Sequence, residues 1–231
     1  MQGETAMKVI KCIQGSPEWF DARCGRITAS RIADVLRTRK DGKRSETRHK
    51  LMLEIAAEIM TETNAKHYVS DSMQWGVEKE PIARTEYELI TGHDVRLVGF
   101  VEHPTIQRAG CSPDGLLFGQ SKGVEFKCPE TTTHIDYLIA KRLPPEYEPQ
   151  VMWNIACTEY EEWDFVSFDP RMPKKHQMLI VPVKRNEPRI KEMNEAVVQF
   201  LAEVDDLIHQ IESADHYLTE QLEASIAGVR K

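Results

Sequence analysis

The stretch Asp114-Gly-Leu-Leu-Phe-Gly-Gln-Ser-Lys-Gly-Val-Glu-Phe-Lys127 has the layout of an antiparallel hairpin. Side chains alternate along a strand, so Glu125 and Lys127 share one face while Val124 and Phe126 point to the other, apolar one. With the turn at Gly119 to Lys122, pairing Leu117 with Lys122 sets Asp114 opposite Glu125. Two carboxylates and a lysine then meet on one face, backed by a core face. Hard cations such as Mg²⁺ take oxygen ligands and only one or two protein carboxylates. Asp114, Glu125 and the backbone carbonyl of Phe126 suit such an ion, and Lys127 is placed to orient a water and to stabilise charge developing on a phosphate.

Working outward, Ser16-Pro17-Glu18 is a helix start with proline at the first helical position, and Gly25 is placed to end that helix. The residues Arg23 to Ser30 read as a turn into a second helix through Ile32 and Leu36. Leu51, Ile55 and Ile59 recur at helical spacing within Glu46 to Met60, and Ser72 to Ile90 forms a further helix with Trp75, Ile82 and Tyr87 for burial. Glu80 lies in that helix, where it becomes a third carboxylate if the helix packs over the hairpin. Strand signals follow at Val95 to Glu102, Gln107 to Ala109, Gly115 to Phe118 and Lys122 to Lys127, an antiparallel meander. Helices over about Thr133 to Lys141 and Tyr147 to Thr158 precede strands at Trp163 to Phe168 and Gln177 to Val183. Pro188 to about Leu222 carries Ile190, Met193, Val197, Leu201, Val204, Ile208 and Ile211 at steps of three and four, an amphipathic helix with an acidic outer face. The fold class is α/β (α+β), a mixed central sheet flanked by helices.

At 231 residues and 41% hydrophobic, the chain is long enough for one domain spanning 1–231, with a core over about 17–185 and the C-terminal helix at about 188–222 appended. No run of apolar residues is long enough to span a membrane, and Met1 to Ser16 lacks the apolar core of a secretion signal, so a cytoplasmic location is expected. Five cysteines with no Cys-x-x-Cys pair argue against a disulfide frame or a zinc knuckle. The net charge of -7 counts against phosphate binding until its distribution is considered. Arg37 to Lys50 holds seven basic residues against two acids, whereas Glu187 to Glu223 holds ten acids against two bases. The two ends of the molecule are therefore expected to carry opposite fields.

Four motifs give the hairpin its context: Arg23-Cys-Gly-Arg-Ile-Thr-Ala-Ser30, Trp75-Gly-Val-Glu-Lys-Glu80, Cys111-Ser-Pro-Asp-Gly-Leu116 and Val124-Glu-Phe-Lys-Cys-Pro129. In order and spacing they resemble the lambda-exonuclease and YqaJ-like viral recombinase nucleases of the PD-(D/E)xK superfamily. Gln150-Val151, Trp153 and Phe168-Asp-Pro-Arg-Met172 extend the resemblance to roughly residues 17–185. Two departures stand out: the family's Gln-Val-Gln is Gln150-Val151-Met152 here, and the hairpin is one residue shorter between its acids.

The resemblance implies a restriction-endonuclease-like core with Asp114, Glu125 and the Phe126 carbonyl as metal ligands, Lys127 as catalytic lysine and Glu80 as the helix-borne acid. It implies further that Arg23, Ser30, Ser112 and Gln150 hold a 5′-terminal phosphate, a task suited to the bidentate guanidinium. The expected activity is a Mg²⁺-dependent processive 5′-to-3′ exonuclease on double-stranded DNA ends, with Mn²⁺ substituting. It would release mononucleotides and leave 3′ single-stranded tails. A ring-shaped homotrimer and a single-strand annealing protein as recombination partner are also implied. Two alternatives stand beside it: an endonuclease of the same superfamily with another entry rule, and a non-catalytic DNA-end-binding recombination protein.

Overall fold

The computed structural model describes residues 7–38, 45–64 and 71–229. The chain opens with β1 (Val9–Ile10), α1 (Pro17–Arg23) and β2 (Ile27–Thr28), then passes through a 3-10 turn at Ala29–Arg31 into α2 (Ile32–Leu36). Helices α3 (Glu46–Thr61) and α4 (Asp71–Thr91) come next. Strands β3 (Val95–Arg96), β4 (Phe100–Glu102), β5 (Ala109–Cys111), β6 (Gly115–Leu117) and β7 (Lys122–Lys127) lead to helices α5 (Thr131–Ala140) and α6 (Glu148–Thr158). Strands β8 (Glu162–Phe168) and β9 (Met178–Lys184) and helix α7 (Glu187–Val229) complete the order.

The expected helix start is realised: the Ser16 hydroxyl caps α1 by accepting from the Trp19 amide, with Pro17 at the first helical position. The turn expected from Arg23 to Ser30 holds a short strand, β2, before the second helix.

The strands do not form one antiparallel meander. They divide into a sheet ordered β3-β6-β7-β8-β9 and a second ordered β1-β4-β5-β2. The single strand expected over Val95 to Glu102 is split between the two, since β3 pairs with β6 and β4 pairs with β1 and β5. Gly99 lies at the crossing, where an added Cβ would sit 2.6 Å from the carbonyl oxygens of Ile10 and Cys12. Only a residue without a side chain lets the backbone pass that close. β7 and β8 are parallel over six residue pairs, and α5 and α6 lie in the long crossover that parallel pairing requires.

The β6–β7 hairpin has the register read from the sequence, with Gly115 opposite Val124 and Leu116 opposite Gly123. Gly119 turns the chain at φ 71°. Beneath it, Val124 and Phe126 join Leu117, Val166 and Phe168 in an apolar cluster that α4 covers with Ala83 and Tyr87. These two helix residues are four apart and share a face, whereas Ile82, one step round the helix, is 44% exposed rather than buried. Trp75 is half-buried.

A larger cluster lies around α3, α6 and α7, with Leu51 and Ile55 meeting Met193, Val197 and Val204. Here the charge expectation changes. Arg48, in the basic run, is 2.6 Å from Glu203 of the acidic helix, and Arg108 is 2.7 Å from Asp205. The basic run therefore does not lie at the opposite end of the molecule from α7, because α3 packs against α7. Residues 39–44 of that run lie outside the described residues.

One buried polar link fastens α4 to the sheet. The Tyr87 hydroxyl donates to Asp164 Oδ2 at 2.6 Å, and Lys122 Nζ sits 2.9 Å from Asp164 Oδ1. Removing one member of a buried pair leaves the other uncompensated, at about 3–5 kcal/mol. Asp164→Ala is expected to lower Tm by roughly 6–20 °C for a chain of this size. Glu162→Ala, which removes only a 3.9 Å surface contact to Lys122, should leave Tm nearly unchanged. Thermal melts followed by circular dichroism check both.

Candidate active site

The hairpin, α4 and α6 converge at the C-terminal end of β7. Asp114 precedes β6, and its Oδ2 accepts a 2.7 Å hydrogen bond from the Phe126 amide, tying the two strands together. Glu125 is 1% exposed, and Lys127 Nζ reaches its Oε1 at 2.6 Å. The face that carries these two side chains meets α6, from which two amides four residues apart reach Glu125. Gln150 Nε2 donates to Oε1, and Asn154 Nδ2 donates to Oε2 at 2.9 Å. The Lys127 ammonium also lies 5.1 Å from the centre of the Tyr147 ring, which stacks on Phe165 at 5.3 Å.

A cavity of about 360 Å³ opens here, lined among others by Glu80, Asp114, Lys127, Tyr147 and Trp75. Its electrostatics are those of crowded acids. Burial, followed by the Glu125 and Glu80 charges, holds the Asp114 carboxyl well above the ordinary carboxylate range. Burial and then Glu125 raise Glu80 as well. Burial alone would depress the Lys127 ammonium, but Glu125 and Asp114 outweigh it, and its pKa lies above the usual lysine value.

The donor set suits a hard divalent cation. Three carboxylates that repel one another gain from a cation's charge, and oxygen is the ligand such ions prefer. Soft-metal chemistry does not fit, because burial and then the Glu80 and Asp114 charges push the adjacent Cys128 thiol up to about 12. Among the described residues, no three acid, histidine or cysteine side chains already converge as a complete ligand set.

A second group of side chains sits where α1 faces the Cys111–Asp114 segment. Arg23 Nη1 donates to Ser112 Oγ at 3.1 Å and Nη2 to Thr28 Oγ1 at 3.4 Å, while the Ser30 hydroxyl lies 3.3 Å from Thr28 Oγ1. Trp19 Nε1 donates to Ser112 Oγ at 2.9 Å, and the Arg23 guanidinium lies 4.2 Å from the centre of the Trp19 ring. A cavity of about 50 Å³ is lined here by Arg23, Arg31, Trp19 and Thr28. Burial and then the Arg31 charge push the Arg23 guanidinium down to about 10. Arg31 itself bonds Glu58 through both terminal nitrogens, at 3.1 and 2.8 Å.

The structure thus brings Asp114, Glu125, Lys127 and Glu80 together, and Arg23, Ser30 and Ser112 together. Gln150 stands with the acids instead of with Arg23. Sequence reading overlooked Asn154, Tyr147, Trp19, Thr28 and Arg31. Two of them had a signal in their spacing: Asn154 is four residues after Gln150 on α6, and Trp19 is four before Arg23 on α1.

The sheet, the acidic hairpin with its Glu-x-Lys and the helix-borne glutamate define a domain of the PD-(D/E)xK nuclease class. The model of the YqaJ-like viral recombinase domain matches residues 18–161, more than half of the chain, and the protein belongs to that family. An alkaline exonuclease from Laribacter hongkongensis is 37% identical and superposes with a TM-score of 0.81 over 88% of this chain and 100% of its own. A phage-related exonuclease from Haemophilus somnus 129PT shares the fold at 15% identity, with a TM-score of 0.68 over 80% of this chain and 96% of its own. An uncharacterised Escherichia coli K12 protein, ExoD, is 31% identical over 65 residues, covering 28% of this chain and 74% of that protein.

The crowding of acids has a measurable consequence in metal-free protein. A carboxyl raised on folding stabilises the fold below its unfolded pKa, and that contribution is lost as pH rises through the folded value. Metal-free protein should therefore lose stability as pH climbs above the ordinary carboxylate range of about 4. Asp114→Asn keeps an acceptor for the Phe126 amide but removes the charge, so it should flatten this loss and raise Tm at neutral pH. The scale is about 2–4 °C per kcal/mol of repulsion relieved. Melts in chelator from pH 5 to 8, parent against variant, provide the check.

Proposed function

We propose that this exodeoxyribonuclease digests one strand of duplex DNA from its 5′ end, using Mg²⁺ and releasing mononucleotides to leave a 3′ single-stranded tail. The observation that carries the reading is the short connection between β5 and β6. Ser112, bonded to Arg23, and Asp114, bonded across to β7, are two residues apart on one segment. Two residues of chain span at most about 7 Å. That is the scale of one nucleotide step along a stretched DNA strand. A 5′ phosphate held by Arg23 therefore sets the next phosphodiester beside the acids. The Laribacter enzyme has been crystallised with dAMP, a mononucleotide of the kind proposed here as product.

In this reading Asp114, Glu125 and the Phe126 carbonyl hold the ion, with Glu80 as the third acid of the site. When bound, a divalent cation supplies Lewis-acid neutralisation of the scissile phosphate. The chain's own groups do the rest. Lys127 keeps its positive charge against Glu125 and stabilises the charge that builds on the phosphate oxygens. The Tyr147 ring keeps that ammonium at the cavity wall. Arg23, with Ser112 and Ser30, grips the terminal phosphate, and Trp19 fixes the Ser112 hydroxyl from the other side.

A homotrimeric ring with DNA through its centre completes the proposal, because a closed ring leaves DNA only by running off or opening. Repulsion between DNA and the acidic outer face of α7 fits such a ring. A single-strand annealing protein is its proposed partner. An endonuclease of the same superfamily differs in one outcome, since it would cut covalently closed circles.

The deciding experiment is digestion of a linear duplex labelled separately at each end, with and without 5′ phosphate. Loss of the 5′ label first, faster with the phosphate and abolished by chelator, is expected; equal rates on phosphorylated and hydroxyl ends would remove the end-pocket reading. Lys127→Ala should lower cleavage by about 100-fold or more while DNA binding stays at the parental level. Arg23→Ala should reduce the preference for phosphorylated ends by about tenfold, the effect of losing charge-assisted bonds. Competition between the two ends measures it.

A further inference from the structure

Resting on the reading of Glu125 as a metal ligand, we propose that Asn154 is a positioning residue that sets the direction of the Glu125 carboxylate. Glu125 is 1% exposed and Asn154 is fully buried, so neither side chain has bulk water to partner it. On the carboxylate, Oε1 is shared by Lys127 Nζ and Gln150 Nε2, whereas the bond recorded on Oε2 comes from Asn154 Nδ2, at 2.9 Å. The asparagine therefore settles which way the second oxygen points.

Its own bonding shows that the donor is what the site uses. Asn154 Oδ1 is buried and has no hydrogen-bond partner. Flipping the amide would turn that oxygen toward a carboxylate and leave the N–H₂ unpaired, so the orientation is fixed. A buried, unpaired carbonyl costs about 1–3 kcal/mol. An asparagine serving only to fill space would be better replaced by leucine, which has a similar volume and no polar atom. Asn154 also sits on rigid ground. α6 is buried from Val151 to Thr158, and the preceding side chain on the helix, Trp153, is pinned by its indole N–H to the Gly110 carbonyl at 3.1 Å.

The test is a Mn²⁺ titration of the full-length protein and its variants, read as the rise in Tm and, in parallel, as kcat and KM on duplex ends. Binding to duplex ends in chelator serves as a readout independent of metal. Asn154→Leu and Asn154→Ala remove the donor with and without keeping the volume, and Asn154→Ser keeps a hydroxyl donor. The leucine and alanine variants should shift the Mn²⁺ midpoint upward at least tenfold and lower kcat, with KM and metal-free end binding held at parental values. Serine should recover part of the midpoint. A folded leucine or alanine variant with the parental midpoint, or a serine variant no better than alanine, overturns the role of Asn154. If leucine does not fold, alanine and serine alone decide. A parent whose Tm does not respond to Mn²⁺ overturns the metal-site reading itself, and the proposal with it; a responsive parent confines any failure to Asn154.

Discussion

The hydrogen bond from the Phe126 amide to Asp114 Oδ2 is the constraint on which the site depends. It locks the register at the open end of the β6–β7 hairpin, and register in a strand decides which face every side chain occupies. A slip of one residue would turn Glu125 and Lys127 into the apolar cluster of Tyr87, Val166 and Phe168 and set Val124 and Phe126 against the amides of α6. The same bond uses one oxygen of Asp114, which turns the carboxyl toward the Phe126 backbone. Parallel pairing of β7 with β8 over six residue pairs then holds the strand from its other side. The acids are thus presented by backbone geometry that their own side chains help to fix.

That presentation works against electrostatics. Burial and then the neighbouring acid charges raise the proton affinity of Asp114 and of Glu80, and Lys127 compensates only part of the charge. Such an arrangement persists because the surrounding packing over-determines it. Tyr87, Asp164 and Lys122 anchor α4 two turns from Glu80, and α6 delivers amides rather than charges to Glu125. Amide donors stabilise a buried carboxylate without adding a second cation to compete with Lys127 or with a bound metal ion.

The parts of the fold legible in the sequence were those governed by short-range rules. The period-two pattern of β7 and the turn residues at Gly119 gave the hairpin register, so the meeting of Asp114, Glu125 and Lys127 could be read directly. Helix caps and the spacing of Ile190 through Val204 were legible for the same reason. The division of the strands was not. Val95 to Glu102 has continuous strand propensity, and the crossing at Gly99 is set by the approach of the Ile10 and Cys12 carbonyls from a segment more than 80 residues earlier. Gln150 shows the corresponding limit for side chains: its position on α6 could be anticipated, but whether it reaches Arg23 or Glu125 depends on how α6 docks. Asn154 shares the Gln150 face of α6 at a spacing of four, but that spacing becomes meaningful only once α6 is known to dock on Glu125.

The long C-terminal helix is linked to this site through the core rather than through its acidic face. His103 Nδ1 accepts from the Thr105 and Ile106 amides, so Nε2 carries the proton and donates to Asn194 Oδ1 on α7 at 3.1 Å. Burial pushes His103 down to about 4, which keeps it neutral and this bonding pattern intact at any pH where the enzyme chemistry proposed here would run. The imidazole stacks on Trp153 at 5.1 Å, and Trp153 in turn bonds Gly110, one residue before Cys111-Ser112-Pro113-Asp114. α7, α6 and the segment bearing both Ser112 and Asp114 are therefore joined by one continuous polar and aromatic chain. With Ser112 facing Arg23 and Asp114 facing β7, that segment is the element that fixes the spacing between the end pocket and the acids, and α7 buttresses it from behind.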